Sequence, residues 1–350
     1  MPQSFSAADA MLRRLPRAEI GFFPTPLHRL DRMSEELGVE LYVKRDDFTG
    51  MNLFGGNKIR KLTYLLGEAK ARGCTHVITY GATQSNHAME TAASCRRIGI
   101  EPILYLTAVV PPDAQDVRSN LLLDKILGAE VHIVDMLPGE SEAEADARAA
   151  AMGARRTAEL NAGGHSCMDI PMGGATALGS VGFAQGYLEL REQLAALNVE
   201  ADTIFHATGT GGTMAGLHAG RALLGGGERI VSVAVSPKDE SYLHKVEGLA
   251  NEVLHMLGAP ERVDRRDMHL DLGYYMPGYE CPNALASEAI RWLARSEGLF
   301  LDPVYTGKAF AGLIGAVREG RVKPGSTVVF WHTGGATALF AEKEMLGELY

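Results

Sequence analysis

TIFHATGTGGTMAGLHAG, residues 203–220, is an apolar and β-branched run that ends in a glycine–threonine turn and passes into small and apolar residues at helical spacing. The spacing predicts a strand at 203–207 and a helix at 213–224. Strand, loop and helix in direct succession are the unit of an α/β fold, in which ligands bind beyond the carboxyl ends of the strands. The loop itself, Thr208, Gly209, Thr210, Gly211, Gly212 and Thr213, offers N–H groups and hydroxyls to an anion, and its glycines let main chain approach a ligand closely. It is neither G-x-x-x-x-G-K-[ST] nor G-x-G-x-x-G, so both common nucleotide motifs fail. With no Walker lysine, a single phosphate fits better than a di- or triphosphate. The alternative is a plain glycine-rich turn.

The same unit recurs outward in both directions. Strands are predicted at 40–46, 76–80, 102–109, 130–135, 229–235 and 327–332, and helices at 60–72, 87–97, 113–127, 142–160, 179–197, 283–297 and 308–319. This alternation argues for an α/β protein with mostly parallel, twisted open sheets flanked by helices on both faces. No fixed-period repeat, low-complexity tract or Pro-, Ser- or charge-rich linker divides the chain. Two domains would therefore pack closely and could be joined by more than one crossing of the chain.

Composition narrows the classes. The 350 residues carry 43 acidic and 34 basic side chains, a formal net charge of -9, with 46% hydrophobic and 22% charged residues. Such a chain can bury roughly three quarters of its unfolded surface, and it is not of the disordered type. Nucleic acid is disfavoured as a partner, because no positive surface dominates. The four cysteines, Cys74, Cys95, Cys167 and Cys281, are far apart and show no metal-ligand spacing. No segment reaches the ~20 apolar residues of a membrane span, and no secretory signal is evident. A cytoplasmic protein without metal or membrane partner is expected. Glycine is in excess, at 40 residues.

Three further clusters fall where strand–loop–helix units put a site. FGGNKIRK places Lys58 after Gly55, Gly56 and Asn57 at a helix start; a lysine there opposes the helix dipole and is either a reactive amine or a solvated basic turn. ITYGATQSNH follows a strand with Gly81, Gln84, Ser85, Asn86 and His87, suited to a carboxylate or phenolate oxygen, with a helix N-cap as the alternative for Ser85 or Asn86. WHTGGATALF brings Thr333, Gly334 and Gly335 after the last strand. Tyr274, Tyr275, Tyr279 and Tyr305 lie in glycine- and proline-rich loops, as surface packing or acid–base groups. One monophosphate nest, one candidate amine and several hydroxyl donors suit pyridoxal 5'-phosphate, whose aldehyde condenses with lysine.

GGNKIRK, QSNH, GTGGT, DPVYTGK and HTGGA, in this order, resemble the D-cysteine desulfhydrase and 1-aminocyclopropane-1-carboxylate (ACC) deaminase family of fold-type-II pyridoxal-phosphate enzymes, related to the tryptophan synthase β chain. The likeness runs from PTPL at 24–27 to HTGGATALF. It implies a large cofactor-binding domain of residues 1–50 and 166–350, a small domain of 51–165, and a homodimer. It implies that Lys58 binds the cofactor covalently, Asn57 and Asn86 contact it, with Asn86 on the pyridine 3'-oxygen, and Thr208–Thr213 cradle its phosphate. Thr333 would face the pyridine nitrogen, Gln84, Ser85 and Asn86 the substrate, and Tyr279 and Tyr305 the reacting side. Lys58, Ser85, Tyr279 and Tyr305 would be the catalytic set.

ACC deaminases of this family read DPVYEGK, their glutamate pairing with the pyridine nitrogen, where this chain has Thr306. A hydroxyl partner makes the ring a weaker electron sink and favours loss of a β-substituent over ring opening. Two departures bear on substrate: His87 is followed by Ala88, Met89 and Glu90 in place of a Thr-Arg-like pair, and 236–253 matches no assigned pattern. The expectation is a β-eliminating lyase that converts D-cysteine to pyruvate, sulfide and ammonia. L-cysteate sulfo-lyase (such lyases share GATQSNH), ACC deaminase and a non-catalytic ligand-binding homologue are the alternatives.

Overall fold

The computed structural model describes residues 3–109, 111–112, 117–341 and 343–347. The N-terminal part contains α1 (Phe5–Leu12), β1 (Leu27–Arg29), α2 (Asp31–Leu37), β2 (Glu40–Arg45) and α3 (Asn57–Ala71). Then come β3 (His76–Ala82), α4 (Asn86–Ile98), β4 (Glu101–Ala108), α5 (Ser119–Ile126), β5 (Glu130–Asp135), α6 (Glu142–Ala162) and β6 (Cys167–Ile170). The remainder is α7 (Ala177–Ala196), β7 (Thr203–Thr208), α8 (Gly212–Leu224), β8 (Arg229–Ala234), α9 (Glu240–Leu257), β9 (His269–Asp271), α10 (Ala284–Glu297), α11 (Thr306–Arg318), β10 (Thr327–His332) and α12 (Ala338–Ala341).

These strands form two sheets, of order β1-β2-β10-β7-β8-β9 and β5-β4-β3-β6. Every pairing is parallel except β1 with β2. All six residues of β7 are buried, as expected for a strand covered on both faces. Its one imidazole, His206, is satisfied in place: Nε2 meets Ser232 Oγ at 2.7 Å and Nδ1 meets the Ala207 carbonyl at 2.9 Å. On one face of the six-stranded sheet, Val181, Phe183, Tyr187, Met214, Leu217, Val246 and Leu254 make a core with Trp331. On the other, Leu41, Phe205 and Val233 pack on Leu293, Phe310 and Leu313. The four-stranded sheet is likewise covered on both sides, by Leu62, Leu66 and Cys95 and by Ala149 and Leu160.

The predicted α/β class with two mostly parallel sheets holds. Each predicted strand has a counterpart within one or two residues at its ends; β1, β6 and β9, of three or four residues each, give too little pattern to read. The helix expected at 60–72 begins at Asn57, so Lys58 lies in its first turn. Residues 113–116 of the helix expected at 113–127 lie outside the described residues, and α5 starts at Ser119. The unassigned run at 236–253 folds largely as α9. Asp239 caps its start, and Tyr242, Val246, Ala250, Val253, Leu254 and Leu257 form its buried stripe.

Two buried features fix α3 against the larger sheet. Arg60 donates to both oxygens of Asp46 at 2.7 and 2.8 Å and to both oxygens of Glu189 at 2.9 and 3.1 Å. Glu189 also takes Lys44, while Trp331 Nε1 reaches Asp46 at 2.7 Å. At the α3–α7 crossing, a Cβ on Gly182 would lie 2.0 Å from the Arg60 carbonyl. Only glycine lets the two backbones meet there.

Candidate active site

Between the two sheets lies a cavity of about 440 Å³, a size that suits a small cofactor with substrate. Asn57, Lys58, Ser85, Asn86, Thr208, Gly209, Thr210, Gly211, Thr213, Tyr279, Tyr305 and Thr333 all line it. In the sequence these residues are spread from Asn57 to Thr333; the carboxyl ends of β3, β7 and β10 help bring them together.

Lys58 Nζ donates to its neighbour Asn57 Oδ1 at 2.9 Å, and Asn57 Nδ2 donates to Thr213 Oγ1 at 3.1 Å. Asn57 thus links the lysine to the glycine–threonine loop. Burial lowers the Lys58 pKa, with Glu90 and Asp302 pulling the other way. Its place in the first turn of α3, with no side-chain cap, adds an unfavourable dipole for the ammonium. Backbone from the far end of the chain holds this turn: Asn57 N donates to the Thr333 carbonyl at 3.0 Å, and Gly56 and Gly334 form a β-bridge.

At the loop, α8 starts at Gly212 with Gly211 at φ +97 and no side-chain cap. The first N–H groups of a helix need an acceptor, and an anion at this position supplies one. Lys61 Nζ lies 3.1 Å from an ideal Cβ on Gly212 and donates to the Gly173 carbonyl at 3.1 Å. Its pKa is held well below the ordinary lysine value by burial and by Lys58. A monophosphate here would meet both N–H donors and a buried amine. Lys238, Lys245 and Tyr242 also line the cavity, with Tyr242 hydrogen-bonded to Thr208 at 2.6 Å.

Ser85 caps α4 through the Ala88 N–H at 3.2 Å, which leaves its hydroxyl proton to donate. Asn86 Oδ1 accepts from Asn120 Nδ2 at 2.7 Å and from Thr337 Oγ1 at 2.9 Å. With the oxygen engaged twice, the amide presents its N–H groups. Tyr279 and Tyr305 share a short hydroxyl–hydroxyl hydrogen bond, and Lys58 Nζ stands 6.0 Å from the Tyr305 ring. Burial raises both phenol pKa values, so both stay protonated.

Three of the expected positions are engaged within the protein. Gln84 Oε1 accepts the Asn120 N–H at 3.0 Å and its Nε2 donates to the Arg118 carbonyl at 3.2 Å, so it ties the loop to α5. Gly212 opens α8, and a Cβ there would meet Lys61 and Ala175. Thr306, fully buried, donates to Asp302 Oδ1 at 2.6 Å and accepts the Asp302 N–H at 2.8 Å, so its hydroxyl is spent on the loop before α11. Thr333 lines the cavity. The acidic groups on the wall are Glu142 and Asp146 of α6, the latter bound to Thr107 at 2.8 Å.

Sequence reasoning missed Lys61, Tyr242, Lys238 and Lys245. The three-residue spacing from Lys58 puts Lys61 on the same helix face, a signal that was readable in GGNKIRK. The others sit on or beside α9, whose pattern was not recognised.

The pyridoxal-phosphate-dependent enzyme family profile matches residues 18–334. The chain belongs to that family. As a pyridoxal-phosphate enzyme it is 39% identical over 333 residues to the D-cysteine desulfhydrase of Klebsiella pneumoniae, covering 94% of this chain and 97% of the relative. It is 38% identical over 341 residues to a Pyrococcus abyssi protein that carries ACC deaminase as a provisional name, covering 97% and 98%. Its structure matches that of an ACC deaminase homologue with a TM-score of 0.85 at 36% identity, covering 97% of this chain and 98% of that one. A threonine deaminase from Solanum lycopersicum, at 17% identity and TM-score 0.67, shares the fold. The cofactor is pyridoxal phosphate, and the donor set described above fits its phosphate, aldehyde and phenolic oxygen.

Proposed function

We propose that this enzyme is a β-eliminating lyase of a small β-substituted amino acid, with D-cysteine as substrate and pyruvate, sulfide and ammonia as products. The observation that carries the reading is the paired, protonated Tyr279 and Tyr305 hydroxyls beside Lys58 in one cavity. The bound cofactor supplies a sink for negative charge at Cα. In this reading Lys58 anchors it, Asn57 and Asn86 hold its ring substituents, and Thr208–Thr213 with Lys61 hold its phosphate. Ser85 and the N-terminus of α4 hold the substrate carboxylate. Lys58, whose pKa burial lowers, takes the Cα proton at Nζ. A tyrosine hydroxyl gives its proton to the departing sulfur, and the released enamine hydrolyses to pyruvate and ammonia.

Thr333, a hydroxyl and not a carboxylate, supports elimination over ring opening, because it does not hold a pyridine nitrogen protonated. ACC deaminase is the second reading, favoured by the names of equally similar relatives; an L-cysteate lyase, with the cavity's lysines for a sulfonate, is the third. Purified enzyme given D-cysteine, L-cysteine, L-cysteate and ACC in parallel separates them. Pyruvate and sulfide from D-cysteine are expected; 2-oxobutyrate from ACC without pyruvate from the others would overturn the proposal.

A further inference from the structure

Glu90 lies on α4, one turn beyond Asn86, and is 2% exposed. Its carboxylate is wedged against the two residues that bracket Asn57 and Lys58. Oε2 accepts the Ile59 N–H at 3.2 Å, and Oε1 lies 2.5 Å from where a Cβ on Gly56 would be. Gly56 is extended, at φ 179, so it is the carboxylate and the Thr333 carbonyl, 3.1 Å away, that demand glycine there. Among the described residues, no side-chain donor is hydrogen-bonded to Glu90. A lone buried carboxylate in an apolar setting is costly unless a charge faces it. The groups that face it are Lys58 and Lys61 from α3 and Asp46 from the turn after β2. Lys58 in turn is faced by Glu90 and by Asp302 before α11, and it acts on His87 of α4.

We propose that Glu90 is a positioning residue that sets the proton affinity of Lys58 from beneath the first turn of α3. Burial raises the Glu90 pKa and lowers that of Lys58, and each group opposes the shift of the other. Among the described residues no ion pair joins the two, since Lys58 Nζ donates to Asn57 and Glu90 accepts from Ile59; Glu90 therefore acts on Lys58 by charge across the first turn of α3 and not by contact. Lys61 does not replace Lys58 in this role, because its Nζ donates to the Gly173 carbonyl beside the phosphate loop.

The inference rests on the reading of Lys58 as the cofactor's anchor, and the test separates the two. Borohydride reduction of the holoenzyme, followed by peptide mass analysis, reports which lysine carries the cofactor; a label elsewhere than Lys58 defeats the anchor assignment itself. With Lys58 confirmed, the visible absorbance of the bound cofactor is titrated in native enzyme and in Glu90→Gln. Glutamine keeps an acceptor for the Ile59 N–H and the packing on Gly56 but carries no charge. Loss of an opposite charge at this range lowers the lysine nitrogen's midpoint by about one pH unit or more. Glu90→Asp, which keeps the charge but withdraws it, should give a smaller fall. An unchanged midpoint in a folded Glu90→Gln enzyme would show that Glu90 only caps α3. If Glu90→Gln does not fold, carbon-13 titration of glutamate carboxyls in native holoenzyme decides. One carboxyl titrating well above the ordinary range supports the proposal; none doing so overturns it.

Discussion

At the residue scale, the hydroxyl of Thr306 and the buried imidazoles of His206 and His218 give the sharpest expectations. Thr306→Val removes a donor from the buried Asp302 carboxylate, which keeps its three N–H partners. The loss should be about 1–3 kcal/mol in chemical denaturation, with the cofactor's absorbance unchanged. A large spectral change would instead place Thr306 at the ring. Tyr279→Phe and Tyr305→Phe leave the cavity packed but break the hydroxyl pair; each should lower kcat at least tenfold, with little change in KM, if a phenol protonates the leaving group. His206 and His218 are held down to about 4 and about 3 by burial. The unfolded chain binds these two protons near its ordinary value of about 6.5 and the native protein does not. Stability from this source is therefore complete above that pH and falls as pH drops toward 4. Urea midpoints between pH 7 and pH 4.5 should decline, and His206→Asn should flatten part of the slope.

At the element scale, the placement of α3 is what puts Lys58 on the cavity wall. Arg60, one turn from Asn57, faces Asp46 and Glu189 inside the protein. Arg60→Met would leave the buried Asp46 and Glu189 carboxylates with Lys44 as their remaining cation among the described residues, and removing one member of a buried pair costs about 3–5 kcal/mol. Gly182→Ala drives a methyl into the Arg60 carbonyl and should shift α3, weakening cofactor retention in equilibrium dialysis as well as stability. The long buried strands and amphipathic helices were legible in the sequence, because periodicity over ten residues is a strong signal. So were the glycine–threonine loop and Lys58, since glycine clusters between strand and helix have few other uses. The α3–α7 crossing was not legible: Gly182 within a helical run looks like an ordinary small residue until the partner helix is known. The intramolecular partners of Gln84 and Thr306 were not legible for a related reason. A polar side chain in a site loop is as readily consumed by the loop's own N–H groups as by a ligand, and spacing does not separate the two.

At the scale of the whole molecule, the site belongs to neither sheet. Lys58 and the phosphate loop meet the larger sheet, whereas Ser85 and Asn86 follow β3 of the smaller one. Binding at such a seam stabilises the native state by mass action. Saturating pyridoxal phosphate at 100 times its Kd should therefore add about 2.7 kcal/mol to the unfolding free energy, read as a higher thermal midpoint; no rise would mean the cofactor also binds the unfolded chain. A homodimer remains our expectation for the assembly, and light scattering on a sizing column tests it.

One feature of the larger sheet reaches beyond the folded state. β10, the last strand in the chain, lies between β2 and β7 and pairs with both. A nascent chain leaves the ribosome from its N-terminus, so β2 has only β1 beside it until synthesis has passed β10. Residues 76–170 can assemble their own sheet long before. Thr333 and Gly334, which follow β10 directly, then pin the turn that carries Lys58. A chain that stops before Thr327 lacks both the strand that lies between β2 and β7 and the backbone that pins the turn of Lys58. If Lys58 is the anchor we propose, such fragments should emerge unable to retain the cofactor, so that the vitamin is committed only to chains that have passed β10.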